Sequence, residues 1–312
     1  MAGLAKLAED VGLDSVWISE TWGSDATVLA GWIAAHTSRI AIGTGILQMP
    51  ARTPTATAMA AATIDHLSGG RFRLGLGVSG PQVSEGWHGV PFASPLQRTR
   101  EYVAIVRAAL AREEPLTFEG DVYNVPLPGG SGRALKLNVQ PLRTDVPIYL
   151  AAMGPRNVAL TAEIADGWLP LLFSPEHVDA FQLPPLGDGF DVSPMVPTSV
   201  RDDVGAARDD ARPAIALYVG AYGSKAKNFY ADLVRRYGFE ADVDAIQEAA
   251  LDRRMSDATA AVPDEMVDAL ALIGPVERVR DRLEAYAQAG VTSVLAMTKD
   301  PDTIRALGEV GR

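Results

Sequence analysis

Short apolar segments that alternate with helical segments constrain the fold of this chain more than any other feature of its sequence. The apolar segments have the length of buried strands, and the segments between them have the apolar spacing of helices. Strands that alternate with helices form parallel βαβ units, so the sequence predicts an α/β fold. The predicted strands lie at 13–19, 40–46, 72–77, 146–152, 167–171, 191–200 and 291–297, the helices at 27–37, 55–67, 95–111, 155–165 and 276–289, and a hairpin at 116–125.

The repetition of βα units favours a closed barrel over an open sheet. Residues 11–16 (VGLDSV) and 289–294 (AGVTSV) both place a glycine that ends a helix before an apolar strand. A (β/α)₈ TIM barrel has eight strands, whereas seven are predicted here. Because a helical stripe of Leu4, Leu7 and Val11 opens the chain, we expect the first strand to lie before Met1 and to be absent from this chain.

The length is compatible with one large domain. At about 150 residues per domain the 312 residues would form two domains, but α/β barrels of about 250 residues or more fold as one unit. The segment at 202–262 is mostly helical and polar, is interrupted near 220–223, and exceeds the length that a crossover needs. We therefore predict a single TIM-barrel domain over residues 1–312, with a helical insertion at 202–262.

Composition excludes several kinds of chemistry and partner. The chain has no cysteine, so it can form no disulfide, thiolate nucleophile or iron–sulfur cluster. Its net charge of −11 argues against nucleic acid or an anionic membrane as a partner. No apolar stretch approaches the roughly 20 residues of a membrane span. We expect a cytoplasmic protein without a metal site, because the four histidines, His36, His66, His88 and His177, show no ligand spacing.

A glycine-rich motif, Gly75 to Gly80 (GLGVSG), follows the predicted strand at 72–77. It matches G-x-G-x-x-G, but a dinucleotide-binding motif needs a helix to begin at once. Because Pro81 and further glycines follow, no helix is expected before Pro95, and the Rossmann interpretation is disfavoured. The stretch also nearly matches the G-x-S-x-G nucleophile elbow, in which Pro81 replaces the last glycine. Ser79 is therefore interpreted as a loop hydroxyl.

Two regions carry candidate catalytic residues. Glu20, followed by Thr21 and Trp22, stands at the C-terminal end of the first predicted strand, which is where barrel enzymes place their active sites. The alternative is that Glu20 caps the following helix. Glu85 and His88 lie in the glycine-rich loop after the strand at 72–77, at the same predicted end of the barrel. We take Glu20, Glu85 and His88 as the candidate catalytic residues.

Several separated motifs resemble those of the luciferase-like monooxygenase superfamily. They are the segments 14–20 (DSVWISE), 37–46 (TSRIAIGTGI) and 67–77 (LSGGRFRLGLG), in the family's order. Within the superfamily, 52–54 (RTP), 80–92 (GPQVSEGWHGVPF) and 165–168 (ADGW) resemble the branch of coenzyme F420-dependent oxidoreductases. The resemblance covers nearly the whole chain and implies a (β/α)₈ barrel with a helical insertion after the seventh strand.

The resemblance also implies a cofactor site. In the family a non-proline cis peptide bond forms a bulge against the deazaflavin ring, and here that bond is Gly45–Ile46, after Thr44. Glu20 would contact the polar edge of the ring. The residues that the resemblance adds as cofactor-binding candidates are Thr21, Trp22, Thr44, Gly45, Ile46, Gly77, Ser79 and Gly80.

A second set of candidates would bind the coenzyme's phosphate. Ala152, Met153, Gly154, Pro155 and Arg156 join a predicted strand to a helix, where backbone N–H groups and a guanidinium suit an anion. The alternative is a routine turn with a solvated arginine.

A basic stretch further along the chain is a weaker candidate for an anionic ligand. Lys225 and Lys227, with Asn228 and Tyr230, could meet the coenzyme tail or the substrate. They are equally compatible with a solvated helix face.

Two departures from the family bear on the substrate. Related sugar-phosphate dehydrogenases have His at the position of Thr21 and Glu at the position of Pro81. The difference argues against the same substrate and leaves Glu85 and His88 as the candidate general acid or base.

The resulting prediction is a coenzyme F420-dependent oxidoreductase that transfers a hydride between the deazaflavin C5 and a small organic substrate, and that forms a homodimer. One alternative is a luciferase-like monooxygenase that uses FMN. Another is a barrel that binds a flavin or deazaflavin without catalysis, or has a structural role.

Overall fold

The computed structural model describes residues 1–223 and 228–310, which form two compact units. Unit 1 consists of Met1–Glu9, Asp14–Ala151 and Leu160–Gly167. Unit 2 consists of Asp10–Leu13, Ala152–Ala159 and the residues from Trp168 onwards.

The described residues contain thirteen α-helices, two 3₁₀ helices and one π-helical turn. The α-helices are α1 (Ala2–Val11), α2 (Ala26–Ala34), α3 (Pro54–Ser68), α4 (Pro81–Ser84), α5 (Pro95–Ala111), α6 (Pro155–Ile164), α7 (Val204–Ala216), α8 (Phe229–Arg236), α9 (Glu240–Leu251), α10 (Met255–Ala260), α11 (Asp264–Leu270), α12 (Val276–Gln288) and α13 (Pro301–Val310). The 3₁₀ helices are Met49–Ala51 and Pro175–Phe181, and the π-helical turn is Leu217–Ala221. No helix in these described segments is long and apolar enough to span a membrane.

Each of the seven predicted strand segments contains at least one strand. The strands are β1 (Ser15–Ile18), β2 (Ala41–Thr44), β3 (Leu47–Gln48), β4 (Phe72–Gly77), β5 (Phe118–Glu119), β6 (Asn124–Val125), β7 (Ile148–Leu150), β8 (Gly167–Trp168), β9 (Asp191–Val192), β10 (Met195–Val200), β11 (Leu272–Gly274) and β12 (Leu295–Met297). The segment predicted as one strand at 191–200 contains two, β9 and β10, separated by Ser193 and Pro194. β3 and β11 were not predicted from the sequence.

In unit 1 a parallel sheet forms the base on which the candidate site is built. β1 pairs with β2, β2 and β3 with β4, and β4 with β7, all in parallel. Ile42, Leu74 and Leu76 on these strands are fully buried. Ala58, Ala61 and Ala62 of α3 are also buried, and their small side chains let the helix pack closely in the core. β5 and β6 form the predicted hairpin.

Unit 2 combines a small parallel sheet with most of the helices. β10 pairs in parallel with β11 on one side and with β12 on the other. The predicted interruption of the helical segment at 202–262 coincides with the π-helical turn. Gly220 in this turn permits close packing, because a Cβ there would lie 2.7 Å from the Ala250 Cβ.

The parallel α/β class is confirmed, but the closed barrel is not observed. Among the described residues the strands fall into three separate hydrogen-bonded sheets rather than one continuous sheet. Several strands are only two or three residues long, so the hydrogen-bonded ladders are short. The single domain over 1–312, the insertion at 202–262 and the missing first strand stay predictions.

The expectation that no helix begins before Pro95 is wrong. α4 follows the glycine motif directly, with Gly80 at its N-cap and Pro81 in its first turn. Proline fits this position because its missing N–H would have no intrahelical partner there. The helix is only four residues long, so the structure still lacks the long helix of a dinucleotide-binding unit.

Gly43 on β2 lets the indole of Trp17 pack against the backbone. A Cβ on Gly43 would lie 2.3 Å from both Cδ2 and Cε3 of Trp17. The Trp17 ring meets Tyr149 edge to face, with centroids 5.1 Å apart. Any side chain at position 43 must therefore displace a large ring within the sheet.

We expect Gly43→Ala to lower the free energy of unfolding by about 1–3 kcal/mol, as overpacking in a core does. Gly31→Ala is the matched control. Its Cβ would meet Leu67 Cδ1 at an ordinary 3.7 Å on a helix, where alanine is favoured over glycine by about 1 kcal/mol. Urea unfolding of both variants checks the prediction, and equal stabilities would contradict it.

Candidate functional site

The turn after β2 contains the predicted cis bond. The Gly45–Ile46 peptide bond is cis, and the N–H of Gly45 donates to the carbonyl of Ile18 at 2.8 Å. The side chain of Ile46 lies over Gly77 of β4, because a Cβ on Gly77 would be 3.1 Å from Ile46 Cδ1. The cis conformation is confirmed, whereas contact of this turn with a cofactor stays a prediction.

Thr44 is fully buried, and its side chain is engaged within the sheet. Its hydroxyl donates to the carbonyl of Gly75 and accepts from the N–H of Gly75, both at 2.9 Å. The side chain therefore joins β2 to β4 and fixes the start of the turn that carries Gly45.

Glu20 lies at the end of β1 in a buried ion pair with Arg52. The carboxylate is 8% exposed and receives two hydrogen bonds from the guanidinium, at 2.9 Å (Nη1 to Oε2) and 2.8 Å (Nη2 to Oε1). It also accepts from the backbone N–H of Gln48 at 2.9 Å and of Ala26, the first residue of α2, at 3.4 Å. The carboxylate thus holds three segments of unit 1 together and contacts the helix start, as the alternative interpretation expected.

Arg52 lies beside two carboxylates, those of Glu20 and Asp25. Burial acts to lower the pKa of Arg52, but the hydrogen bond and charge of Glu20, with the charge of Asp25, outweigh it and raise that pKa above its ordinary value. Burial acts to raise the pKa of Asp25, but hydrogen bonds from Thr27 and Val28 outweigh it and hold that pKa below its ordinary value. The guanidinium therefore stays charged between two carboxylates.

Thr21 and Trp22 continue from Glu20 in a tight turn. Thr21 has a positive φ of 46°, and its hydroxyl donates to the carbonyl of Glu20 at 2.8 Å. The carbonyl of Thr21 accepts from the side-chain amide of Gln48 at 2.7 Å. Trp22 exposes 45% of its surface, whereas the hydroxyl and carbonyl of Thr21 form hydrogen bonds within the turn and with Gln48.

His88 is tied to β3 by a side chain that the sequence analysis missed. Its Nε2 lies 2.8 Å from Oε1 of Gln48, a residue that is 2% exposed. The backbone N–H of His88 donates to the carbonyl of Val83. Gln48 belongs to no motif, and its partner follows 40 residues later, so no local signal in the sequence pointed to it.

Glu85 forms a hydrogen bond within the loop that contains His88. Its side chain is exposed, and Oε1 accepts from the backbone N–H of Phe92 at 3.0 Å. Ser84 closes the same loop, because its hydroxyl donates to the carbonyl of Val90 at 2.7 Å. The structure therefore gives Glu85 a structural contact and leaves its second oxygen free of any partner in the described residues.

Ser79 and Gly80 lie between β4 and α4. Ser79 has a positive φ of 61°, and its hydroxyl is buried without a hydrogen-bond partner in residues 1–223 and 228–310. An unsatisfied buried hydroxyl costs about 1–3 kcal/mol, so it is a feature that a polar ligand group can relieve. No heavy atom of residues 1–223 or 228–310 lies within 4 Å of a Cβ built on Gly80.

The turn from Ala152 to Arg156 belongs to unit 2. The carbonyl of Ala152 accepts from the indole of Trp168 at 2.8 Å. α6 begins at Pro155, and Arg156 is exposed. The first N–H groups of a helix have no intrahelical partner, and the helix start carries a partial positive charge. The turn therefore has the chemistry to bind an anion.

The other candidates for an anionic ligand are not supported. Lys225 and Lys227 lie outside the described residues. The side chain of Asn228 donates to the carbonyls of Tyr218 and Val219 and accepts from the N–H groups of Tyr230 and Ala231. It therefore caps α8 and holds the π-helical turn, with no group left for a ligand. In the described parts of the chain no cluster of three or more histidines and carboxylates could hold a metal ion.

Comparison with known proteins gives consistent results. A family model described as luciferase-like monooxygenase matches residues 1–293. The chain is 44% identical to "Putative coenzyme F420-dependent oxidoreductase Rv3520c" of Mycobacterium tuberculosis, over 98% of this chain and 92% of that protein. It is 31% identical to 5,10-methylenetetrahydromethanopterin reductase of Archaeoglobus fulgidus, over 98% and 92% of the two chains. The solved structure of coenzyme F420-dependent tetrahydromethanopterin reductase from Methanopyrus kandleri superposes with a TM-score of 0.83 at 25% identity, covering 99% of this chain and 93% of that one.

Proposed function

The chain belongs to the luciferase-like monooxygenase family, in its coenzyme F420-dependent oxidoreductase branch, and we propose that it transfers a hydride between C5 of coenzyme F420 and a small organic substrate. The observation that carries this proposal is its similarity to named F420-dependent oxidoreductases over almost the whole chain. By the same similarity we propose a (β/α)₈ barrel with a helical insertion at 202–262, in a cytoplasmic enzyme.

The residues of unit 1 fit a planar, polar-edged ring. Ile46 presents an apolar side chain that is held over Gly77, and Trp22 offers an exposed aromatic ring. Among the described residues the buried hydroxyl of Ser79 has no hydrogen-bond partner, and a heteroatom of the ring would provide one. The space beside Gly80 is open in the same residues. When bound, the coenzyme supplies the carbon that accepts or donates the hydride, while these residues bind and orient it.

In unit 2 we propose that the turn from Ala152 to Arg156 binds the coenzyme's phosphate. The start of α6 supplies N–H groups and a partial positive charge, and the exposed Arg156 supplies a guanidinium that suits phosphate oxygens. Replacing Arg156 by alanine tests this assignment, because it should weaken F420 binding and should spare binding of a deazaflavin that lacks the phosphate tail.

His88 is the group we propose for proton transfer to or from the substrate. It is half-buried in a loop that is closed by Ser84 and Glu85. An imidazole can both donate and accept a proton, which suits a general acid or base. Glu20, by contrast, is held in a bidentate ion pair, which supports a positioning role for it.

Titration of the purified protein with coenzyme F420 and, separately, with FMN tests the choice of cofactor. We expect saturable quenching of deazaflavin fluorescence by the protein and no saturable binding of FMN. Tight binding of FMN without binding of F420 would favour the flavin monooxygenase instead. If neither binds, the protein is a barrel without this catalytic function.

We expect Ser79→Ala to weaken F420 binding about 2- to 10-fold while leaving the protein as stable as before or more stable. The reason is that the variant removes one ligand hydrogen bond, of about 0.5–1.5 kcal/mol, together with an unsatisfied buried group. Ser68→Ala is the matched control, because Ser68 is also buried but donates to the carbonyl of Asp65. The control should lose stability and keep its F420 affinity, as thermal melts and fluorescence titration can show.

We propose a homodimer that uses the exposed apolar face of α2 and α3. Trp32, Val28, Met59 and Leu67 are each more than half exposed, and a Cβ built on Gly31 of α2 would lie 3.7 Å from Leu67 Cδ1 of α3. An exposed apolar patch of this kind marks an association surface. Trp32→Glu should convert a dimer to a monomer in light scattering, whereas Trp87→Glu, at another exposed tryptophan, should not. A monomeric wild-type protein would contradict the proposal.

A further inference from the structure

Gln48 makes hydrogen bonds with both ends of its side-chain amide. One end lies 2.7 Å from the carbonyl oxygen of Thr21 and the other lies 2.8 Å from Nε2 of His88. A backbone carbonyl can only accept, so the NH₂ group of Gln48 must face Thr21. The amide oxygen of Gln48 must then face His88.

This orientation decides which nitrogen of His88 carries the proton. An amide oxygen can only accept, so Nε2 of His88 must be the protonated nitrogen. In the neutral imidazole Nδ1 is then the basic nitrogen. Within the described segments no group forms a hydrogen bond with Nδ1, so it is available to a ligand.

The amide of Gln48 is held firmly enough to impose this choice. The side chain is 2% exposed, so water cannot readily replace either partner. The backbone N–H of Gln48 donates to Glu20, which is itself held by Arg52. Gln48 also pairs with Gly77 in the β3–β4 ladder. Sheet, ion pair and turn together fix the position of the amide.

We propose that Gln48 is a positioning residue that sets the tautomer of His88, so that Nδ1 is the atom that exchanges a proton with the substrate. This rests on the proposed role of His88 in proton transfer. The position lies two residues after Ile46, on the same short segment as the proposed ring contact. Gln48 would therefore link the segment that carries Ile46, the proposed ring contact, to His88, the proposed proton-transfer group.

The tautomer can be measured directly, without any activity assay. Long-range ¹H–¹⁵N correlation spectra of protein labelled at histidine distinguish Nδ1–H from Nε2–H in each imidazole. The chain has four histidines, and His88→Asn identifies the signal of His88 by its loss. We expect the Nε2–H tautomer for His88 in the wild-type protein. The Nδ1–H tautomer at His88 would overturn the proposal.

Two other histidines provide controls in the same spectrum. Nε2 of His66 lies 2.8 Å from the carbonyl of Gln140, and Nδ1 of His36 lies 2.7 Å from the carbonyl of Trp32. These contacts require Nε2–H at His66 and Nδ1–H at His36, so the two tautomers calibrate the measurement. Neither signal should change when Gln48 is replaced.

Two variants separate positioning from a general structural effect. Gln48→Leu removes the acceptor, so the Nδ1–H form of His88 should appear. Gln48→Glu keeps an acceptor and should keep Nε2 protonated. An unchanged tautomer in Gln48→Leu would overturn the proposal. If the tautomer changes in Gln48→Leu but turnover does not fall about 5-fold or more, Gln48 positions His88 as proposed and the catalytic role of His88 is what fails.

Discussion

Arg52→Met should lower the free energy of unfolding by about 3–5 kcal/mol, because it leaves the buried carboxylate of Glu20 without its partner. In the wild-type protein the guanidinium gives this carboxylate two hydrogen bonds of 2.8 and 2.9 Å in a site where only 8% of Glu20 is exposed. Methionine fills a similar volume with no charge, so the loss reports the uncompensated charge and not a cavity. Urea unfolding measures the effect.

Arg100→Met is the matched control for this prediction. Arg100 binds Glu163 with the same two-pronged geometry, at 2.5 and 2.6 Å, but the two side chains are 44% and 58% exposed. Exposed pairs of this kind contribute about 0–1 kcal/mol, so the control should change stability little. Equal losses in the two variants would show that burial of Glu20 does not govern the effect.

The double variant Glu20→Gln/Arg52→Met tests whether the unpaired buried charge of Glu20 causes the loss of stability. It removes the charge of Glu20 together with its partner, so no unpaired ion remains buried. Glutamine can still accept from the backbone N–H of Gln48, which the carboxylate holds in the wild-type protein. We therefore expect the double variant to be more stable than Arg52→Met alone. A double variant that is less stable would contradict the proposed origin of the loss.

The parts of the fold that were predicted correctly carry their signal in neighbouring residues. α5 begins and ends at the predicted residues, and β4 matches its prediction in full. Both have many residues, so the apolar period is repeated often enough to mark them. β7 and β12 have only three residues each, but the longer segments around them, 146–152 and 291–297, were predicted as strands, whereas β3 and β11 were missed. α4 was missed because Pro81 was taken as a breaker, although proline is favoured in the first turn of a helix.

In the candidate site, too, the residues with a local sequence signal were found and their distant partners were not. Glu20 could be found because it follows a predicted strand, and His88 because it follows a glycine-rich motif after another strand. Their partners Arg52 and Gln48 lie 32 and 40 residues away from them in the sequence. Such pairs depend on how β1, β3 and the loop after α4 come together, which a single sequence does not encode in any local pattern. The residues were therefore predictable, and the contacts that give them their roles were not.

His88→Asn should lower kcat about 10²- to 10⁴-fold, the range typical of a lost general acid or base, with little change in F420 affinity. Asparagine keeps an N–H donor that can face the amide oxygen of Gln48, so the loop should keep its contact with β3 while the titrating group is lost. Anaerobic turnover of reduced F420 with a substrate found in a panel of carbonyl and enoyl compounds measures the effect. His66→Asn, at an exposed histidine bonded to Gln140, is the control and should be unchanged.

Glu85→Gln tests whether Glu85, the other candidate general acid or base, transfers the proton instead of His88. Glutamine keeps an oxygen that can accept from the N–H of Phe92, so the loop contact of Glu85 is retained while its charge is removed. If His88 transfers the proton, Glu85→Gln should lower kcat by less than about 10-fold, below the range of a lost acid or base. A large loss in Glu85→Gln together with full turnover in His88→Asn would transfer the role to Glu85. Comparing the loss of kcat in the two variants therefore shows whether His88 or Glu85 transfers the proton, because the variant at that residue should lose more kcat.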